Sequence, residues 1–173
     1  MWIGFGCSIR GNHSAEQFAV DSCAFSLGKV CDTLRTEILE ISDVKELLQT
    51  VKDSAIVRKD SIMLGWIAGL DGLVAERNQL IERAESLLIW SNEYSEILSK
   101  WQKALHSEAT HDSALVKMDD AYTIQELAAQ KRNCDHLLSE IQRWQKDKTA
   151  FNTIYDTLRM RTHVILSPKF VVQ

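Results

Sequence analysis

The sequence has one proline, Pro168, and no glycine after Gly72. More than 150 residues therefore pass without the residue that most effectively breaks helices. Long helices are permitted. The glycines fall at positions 4, 6, 11, 28, 65, 69 and 72, where interruptions are expected. Cysteine is scarce: Cys7, Cys23, Cys31 and Cys134 contain no CxxC pair and lack the density of a disulfide scaffold, which points to a reducing compartment. No apolar run reaches the ~20 residues of a membrane span. The opening "MWIGFGCSIR" has no basic residue ahead of its apolar stretch, and Trp2 stands where N-myristoylation needs glycine.

Among the 173 residues, 45% are hydrophobic and 25% charged, which suits a folded chain. The 20 Lys and Arg against 24 Asp and Glu give a net charge of -4, and nucleic acid is not an expected partner. The balance is uneven: five cations meet ten acids over 61–120, whereas eight cations meet five acids from 121 onward. The basic last third suits a local contact with anionic lipid or an acidic partner surface.

Apolar residues recur at helical spacing. In "LLIWSNEYSEILSKWQKAL" a seven-residue series runs through Leu73, Leu80, Leu87, Tyr94 and Trp101, beside a second through Trp90, Ile97 and Ala104. In "EIQRWQKDKTAFNTIYDTLRMRT" the series are Cys134, Ile141, Lys148, Tyr155, Thr162 and Leu137, Trp144, Phe151, Leu158, Ile165. Earlier, Leu27, Leu34, Ile41 and Leu48 run beside Val30, Val44 and Val51. Gly28 reads as a helix terminator, and Asp32 or Thr33 as the N-cap of the next helix.

The expected fold is all-α, an elongated antiparallel helical bundle or coiled coil of one short and two long helices. An irregular segment covers 1–13, helices cover 14–27, 33–108 and 120–165, and a tail covers 167–173. The 33–108 helix is expected to kink near Gly65–Gly72. A polar, acidic turn with Glu108, Asp112, Lys117, Asp119 and Asp120 joins the long helices. Apolar series of this length on single rods call for a companion chain, most simply a second copy. The seam residues are Leu87, Trp90, Tyr94, Ile97, Trp101, Ile141, Trp144, Phe151, Tyr155 and Leu158.

No catalytic constellation emerges. His13, His106, His111, His136 and His163 are scattered through polar contexts, Cys134 and His136 point to different sides of a helix, and "GFGCSIRG" lacks the lysine of a phosphate loop. The chain is read as a non-enzyme, without metal or cofactor.

"EIQRWQ", with Glu140, Ile141 and Trp144 in an E-I-x-x-W pattern, and "WSNEYSEILSKWQKAL", with Trp90, Trp101 and Gln102 ahead of a polar turn, resemble the BAR region of sorting nexins, most closely the retromer-associated PX-BAR type. "AEQFAVDSCAFSLG" is similar to the end of that family's first helix. The resemblance covers about residues 14–166. It implies a BAR-like domain truncated at both ends, forming a homodimer or a heterodimer with another sorting nexin. The implied role is sensing and binding curved, anionic, phosphoinositide-containing endosomal membranes in protein sorting, from the cytoplasmic side. Departures are the missing PX domain, the missing bulk of the first helix, and an acidic tip that opposes anionic lipid. Lys100, Lys103, Lys131, Arg132, Arg143 and Lys146 flank the tip or lie on the basic last helix, and are the membrane-facing candidates. The alternative is a cytosolic scaffold or tether that binds a partner helix without lipid.

Overall fold

A computed structural model describes residues 14–58, 61–106 and 120–166. The chain is an all-α bundle of helices α1 (Ser14–Leu39), α2 (Val44–Arg58), α3 (Ser61–His106) and α4 (Asp120–Leu166). They form two compact units, one within 1–30 and 91–138, the other within 31–90 and 139–173. The segments 1–13, 107–119 and 167–173, including the expected tip, lie outside the described residues.

In the first unit, α1 runs antiparallel to α3: Gln17 Nε2 donates to the Leu105 carbonyl at 3.4 Å, and Gln102 Nε2 to Asp21 Oδ1 at 2.8 Å. Helix α4 is also antiparallel to α3. The Tyr94 hydroxyl donates to the Gln130 carbonyl, and the Trp101 and Tyr122 rings tilt together with centroids 6.5 Å apart. Val20 and Leu27 from α1, Leu98 and Leu105 from α3, and Leu127 and Leu137 from α4 close the core.

In the second unit the core combines Leu34 of α1, Val44 and Val51 of α2, Leu70, Leu73 and Leu80 of α3, and Ile141, Trp144 and Phe151 of α4. Trp144 is wholly buried, and its indole N–H donates to the Leu80 carbonyl at 2.8 Å, so the largest core side chain carries no unmet donor. Helix α1 is parallel to α4 here: Gln145 Nε2 meets Glu37 Oε1 at 3.1 Å, and Lys148 Nζ meets Glu40 Oε2 at 2.9 Å.

Three sequence expectations require correction. Helix α1 continues through Gly28 to Leu39; space is open where a Cβ would stand at Gly28, and Asp32 pairs with Arg35 at 3.0 Å inside the helix instead of capping a new one. The expected helix over 33–108 is interrupted after Leu39 and comprises three elements, α3 beginning only at Ser61 and running unbroken through Gly65, Gly69 and Gly72. The interruption after Leu39 has neither proline nor glycine. The end of α1 tightens through 3₁₀-type bonds, Glu40 N–H to the Glu37 carbonyl and Ile41 N–H to the Ile38 carbonyl, and Asp43 Oδ1 then caps α2 by accepting from Lys45 N–H at 3.0 Å. Arg77 of α3 donates to the Ser42 carbonyl at 3.0 Å, and Asn152 of α4 binds Ser42 from the other side. Residues from two other helices thus satisfy the backbone that the break exposes.

The third correction concerns the apolar series. Leu87, Tyr94, Trp101, Ile141, Trp144 and Phe151 are all buried by their own chain, because neighbouring helices supply the cover that a single rod lacks. Trp90 and Ile97 remain 36% and 40% exposed, and Tyr155 and Leu158 are half-buried.

Candidate functional surface

All six candidate cations reach solvent. Lys100 and Lys103 on α3, with Lys131 and Arg132 on α4, belong to the first unit; Arg143 and Lys146 on α4 belong to the second. Two are engaged. Lys131 pairs with Asp135 one turn on, at 2.6 Å, and that carboxylate's hydrogen bond and charge raise the ammonium's pKa. Arg143 pairs with Glu140 at 2.5 Å, a carboxylate that Arg83 of α3 also approaches at 3.4 Å. Lys100, Lys103, Arg132 and Lys146 form no ion pair with any described residue, so their charge is available to an external anion.

Large apolar side chains also stand in solvent. In the first unit, Phe18 and Phe25 lie two turns apart on one stripe of α1, 74% and 65% exposed, and Lys29 Nζ rests 4.4 Å from the Phe25 ring centre. Ile97 and Ile124 add to the apolar surface of that unit. In the second unit Leu39, Ile89, Ile154 and Met160 are exposed.

Lys100 has a further setting: with Ile97 and Trp101 it lines a half-open cavity of about 220 Å³, completed by Tyr122, Glu126 and Gln130 of α4. Gln130 Nε2 donates to Glu126 Oε1 at 2.7 Å, whereas Gln130 Oε1 is buried without a donor. The volume falls short of the ~300 Å³ where small-molecule sites begin. It suits ordered water better than a cofactor. Along α4 of the second unit, Gln142, Gln145, Lys146, Thr149, Ala150 and Thr153 line a shallow, open depression of about 510 Å³, and Lys146 is its only charge.

Sequence reasoning did not bring together the pairs that interior geometry does. Lys148, placed in an apolar series, is buried between Glu40 at 2.9 Å and Glu37 at 3.9 Å. Cys23 of α1 is a half-buried free thiol and Cys134 of α4 a buried one, and after burial itself Cys23 is the next cause that pushes the Cys134 thiol up. The helical face shared by Cys134 and Lys148 is visible in the periodicity; Cys23, Glu37 and Glu40, more than a hundred residues away, are not marked by it. Of the histidines, His136 is exposed on α4, while the side chains of the other four lie outside the described set.

Among the described residues no cluster of three His, Cys, Asp or Glu side chains is arranged to hold a metal ion, and no helix is long and apolar enough to cross a membrane. Comparison with protein-family models, curated proteins and solved structures finds no match.

Proposed function

We propose that this chain is a non-catalytic, dimerising membrane-binding module of the sorting-nexin BAR type, acting at anionic, phosphoinositide-containing endosomal membranes during protein sorting. The observation that supports this reading most directly is the set Lys100, Lys103, Arg132 and Lys146, exposed and without acidic partners among the described residues. Each cation near an anionic bilayer contributes about 1 kcal/mol at best, so the three of the first unit, Lys100, Lys103 and Arg132, give roughly 3 kcal/mol, over a hundredfold in affinity. A dimer adds the gain of two linked surfaces. Phe18 and Phe25 offer apolar area to a second chain.

The test is flotation with vesicles of neutral lipid, of about 30% phosphatidylserine, and of phosphatidylserine with phosphoinositide, at about 50 and 300 mM salt. Binding to the anionic vesicles that is lost at high salt, and abolished by reversing all four cations to Glu, supports the module. A folded protein that stays off every vesicle at low salt excludes it.

The exposed Phe18 and Phe25 favour a second reading, a cytosolic helical scaffold whose partner is another helix. That reading expects Phe18→Ser with Phe25→Ser to abolish a protein complex while charge reversal leaves it unchanged.

A further inference from the structure

On the outward side of α3 in the first unit, charge is sorted by sign along the helix. Glu93 and Glu96 come first, Lys100 and Lys103 follow, and at helical spacing all four exposed residues fall within one stripe about 80° wide. None of them forms an ion pair with a described residue, although Glu96 and Lys100 stand only one turn apart. Ile97, 40% exposed, and Ala104 border the stripe on the side of α4, where they line the half-open cavity together with Lys100, Trp101 and Tyr122.

We propose that this stripe is an interaction surface for a second copy of the chain, whose α3 lies antiparallel across it about a two-fold axis level with Leu98. The spacing selects the partner. Glu93 and Lys103 are each five residues from Leu98, and Glu96 and Lys100 each two, so the axis sets Glu93 level with Lys103 of the second copy and Glu96 level with its Lys100. Symmetry repeats both pairings. A parallel arrangement would set like charges level with each other, so the pattern fixes direction as well as register. A stripe of one sign would call for a foreign partner of the other; this stripe is complementary to itself reversed.

Exposed ion pairs attract weakly, so here they orient the two helices while apolar contact supplies the hold. Ile97 is one residue from the axis, which brings it beside Ile97 of the second copy and next to the apolar side of the cavity at Trp101, Ala104 and Tyr122. The contact goes beyond the membrane-binding role and does not rest on it. It takes up Lys100 and Lys103, so an anionic bilayer competes with the second copy for these two cations.

The test is sedimentation equilibrium of the intact chain at about 50 and 500 mM salt, with circular dichroism to confirm that each variant folds. The chain is expected to dimerise at low salt, with a dissociation constant about tenfold higher at high salt. Glu93→Lys with Glu96→Lys makes the stripe wholly basic, and Lys100→Glu with Lys103→Glu makes it wholly acidic. Each double variant is expected to be monomeric alone, and an equimolar mixture of the two to restore the dimer. Phe18→Ser with Phe25→Ser, on α1, is expected to leave the dimer intact. A chain that is monomeric at low salt, either charge variant dimerising alone, or a mixture that stays monomeric would each overturn the proposal. Failure of the membrane-binding role is read separately, by flotation of the Glu93→Lys, Glu96→Lys variant, which keeps Lys100 and Lys103 and has no dimer to compete for them.

Discussion

The side-chain oxygen Oδ1 of Asn152 accepts two hydrogen bonds from one residue, the backbone amide of Ser42 at 3.3 Å and its hydroxyl at 3.2 Å. The Asn152 amide nitrogen also reaches the Glu40 carbonyl at 3.5 Å. One residue of α4 therefore binds the interruption between α1 and α2 at both Glu40 and Ser42, beside the bond from Arg77. Asn152→Ala is expected to cost about 1–3 kcal/mol, since it removes these bonds and leaves a half-buried amide unmet. Asn152→Asp, which keeps the acceptor, is expected to recover most of that loss. Urea denaturation followed by circular dichroism checks both, with unchanged m-values.

Trp144 separates packing from hydrogen bonding. Trp144→Ala empties the centre of the second unit and is expected to cost about 3–5 kcal/mol. Trp144→Phe keeps most of the volume and loses the bond to the Leu80 carbonyl, for an expected cost of about 1–2 kcal/mol. Equal losses from the two variants in urea denaturation would show that the hydrogen bond, and not the ring, dominates.

Alkaline pH acts on the first unit. Burial, reinforced by the charges of Cys134 and Cys23, raises the Tyr94 phenol well above its ordinary value of 10.0, and Cys134 rises from 9.0 to about 12. The unfolded chain releases both protons earlier than the folded one, so above about pH 9 the unfolded state binds fewer protons and stability falls as pH rises. Stability is expected to be insensitive to these groups below about pH 8 and to decline between about pH 9 and pH 12. Tyr94→Phe combined with Cys134→Ala is expected to flatten the decline, as read from denaturation midpoints at each pH.

Gly72 lies within α3, exposed, with open space where a Cβ would project. Gly72→Ala is expected to stabilise the chain by about 0.5–1 kcal/mol, by reducing the freedom of the unfolded backbone and removing a poor helix former. A lower denaturation midpoint would mean that the added methyl meets a neighbour within the folded chain, contrary to the open space at Gly72.

The heptad arithmetic located buried faces well. Leu27, Leu34, Ile41 and Leu48 are all buried, as are Cys134, Ile141, Lys148 and Thr162, although the first series crosses from α1 into α2. Periodicity reports which face is apolar and is indifferent to a short break that keeps that face inward. Boundaries were harder to read. Gly28 has the chemistry of a terminator but sits in a helix whose flanking turns are anchored by Leu27 and Cys31, so tertiary burial outweighs a local cost of ~1 kcal/mol. The true break depends on Asn152 and Arg77, residues distant in sequence. What covers a seam is likewise invisible from one helix alone. Leu87 and Tyr94 read as surfaces awaiting another molecule, yet the chain's own helices cover them. The exposed cations were legible by position, but whether each had an acid beside it depended on how the helices pack.

Among the described residues Lys148 is the one buried charge of α4, flanked two turns away on either side by Ile141 and Tyr155. A slide of α4 by one heptad against α1 would still turn Leu137, Trp144, Phe151 and Leu158 inward, since they recur at that spacing. It would also carry the ammonium away from Glu37 and from the exposed Glu40, so that the buried Lys148 would have to find another counterion or lose its pairing. That electrostatic penalty selects a single axial setting from several that greasy packing alone would accept, just as a lone polar residue selects alignment in a zipper.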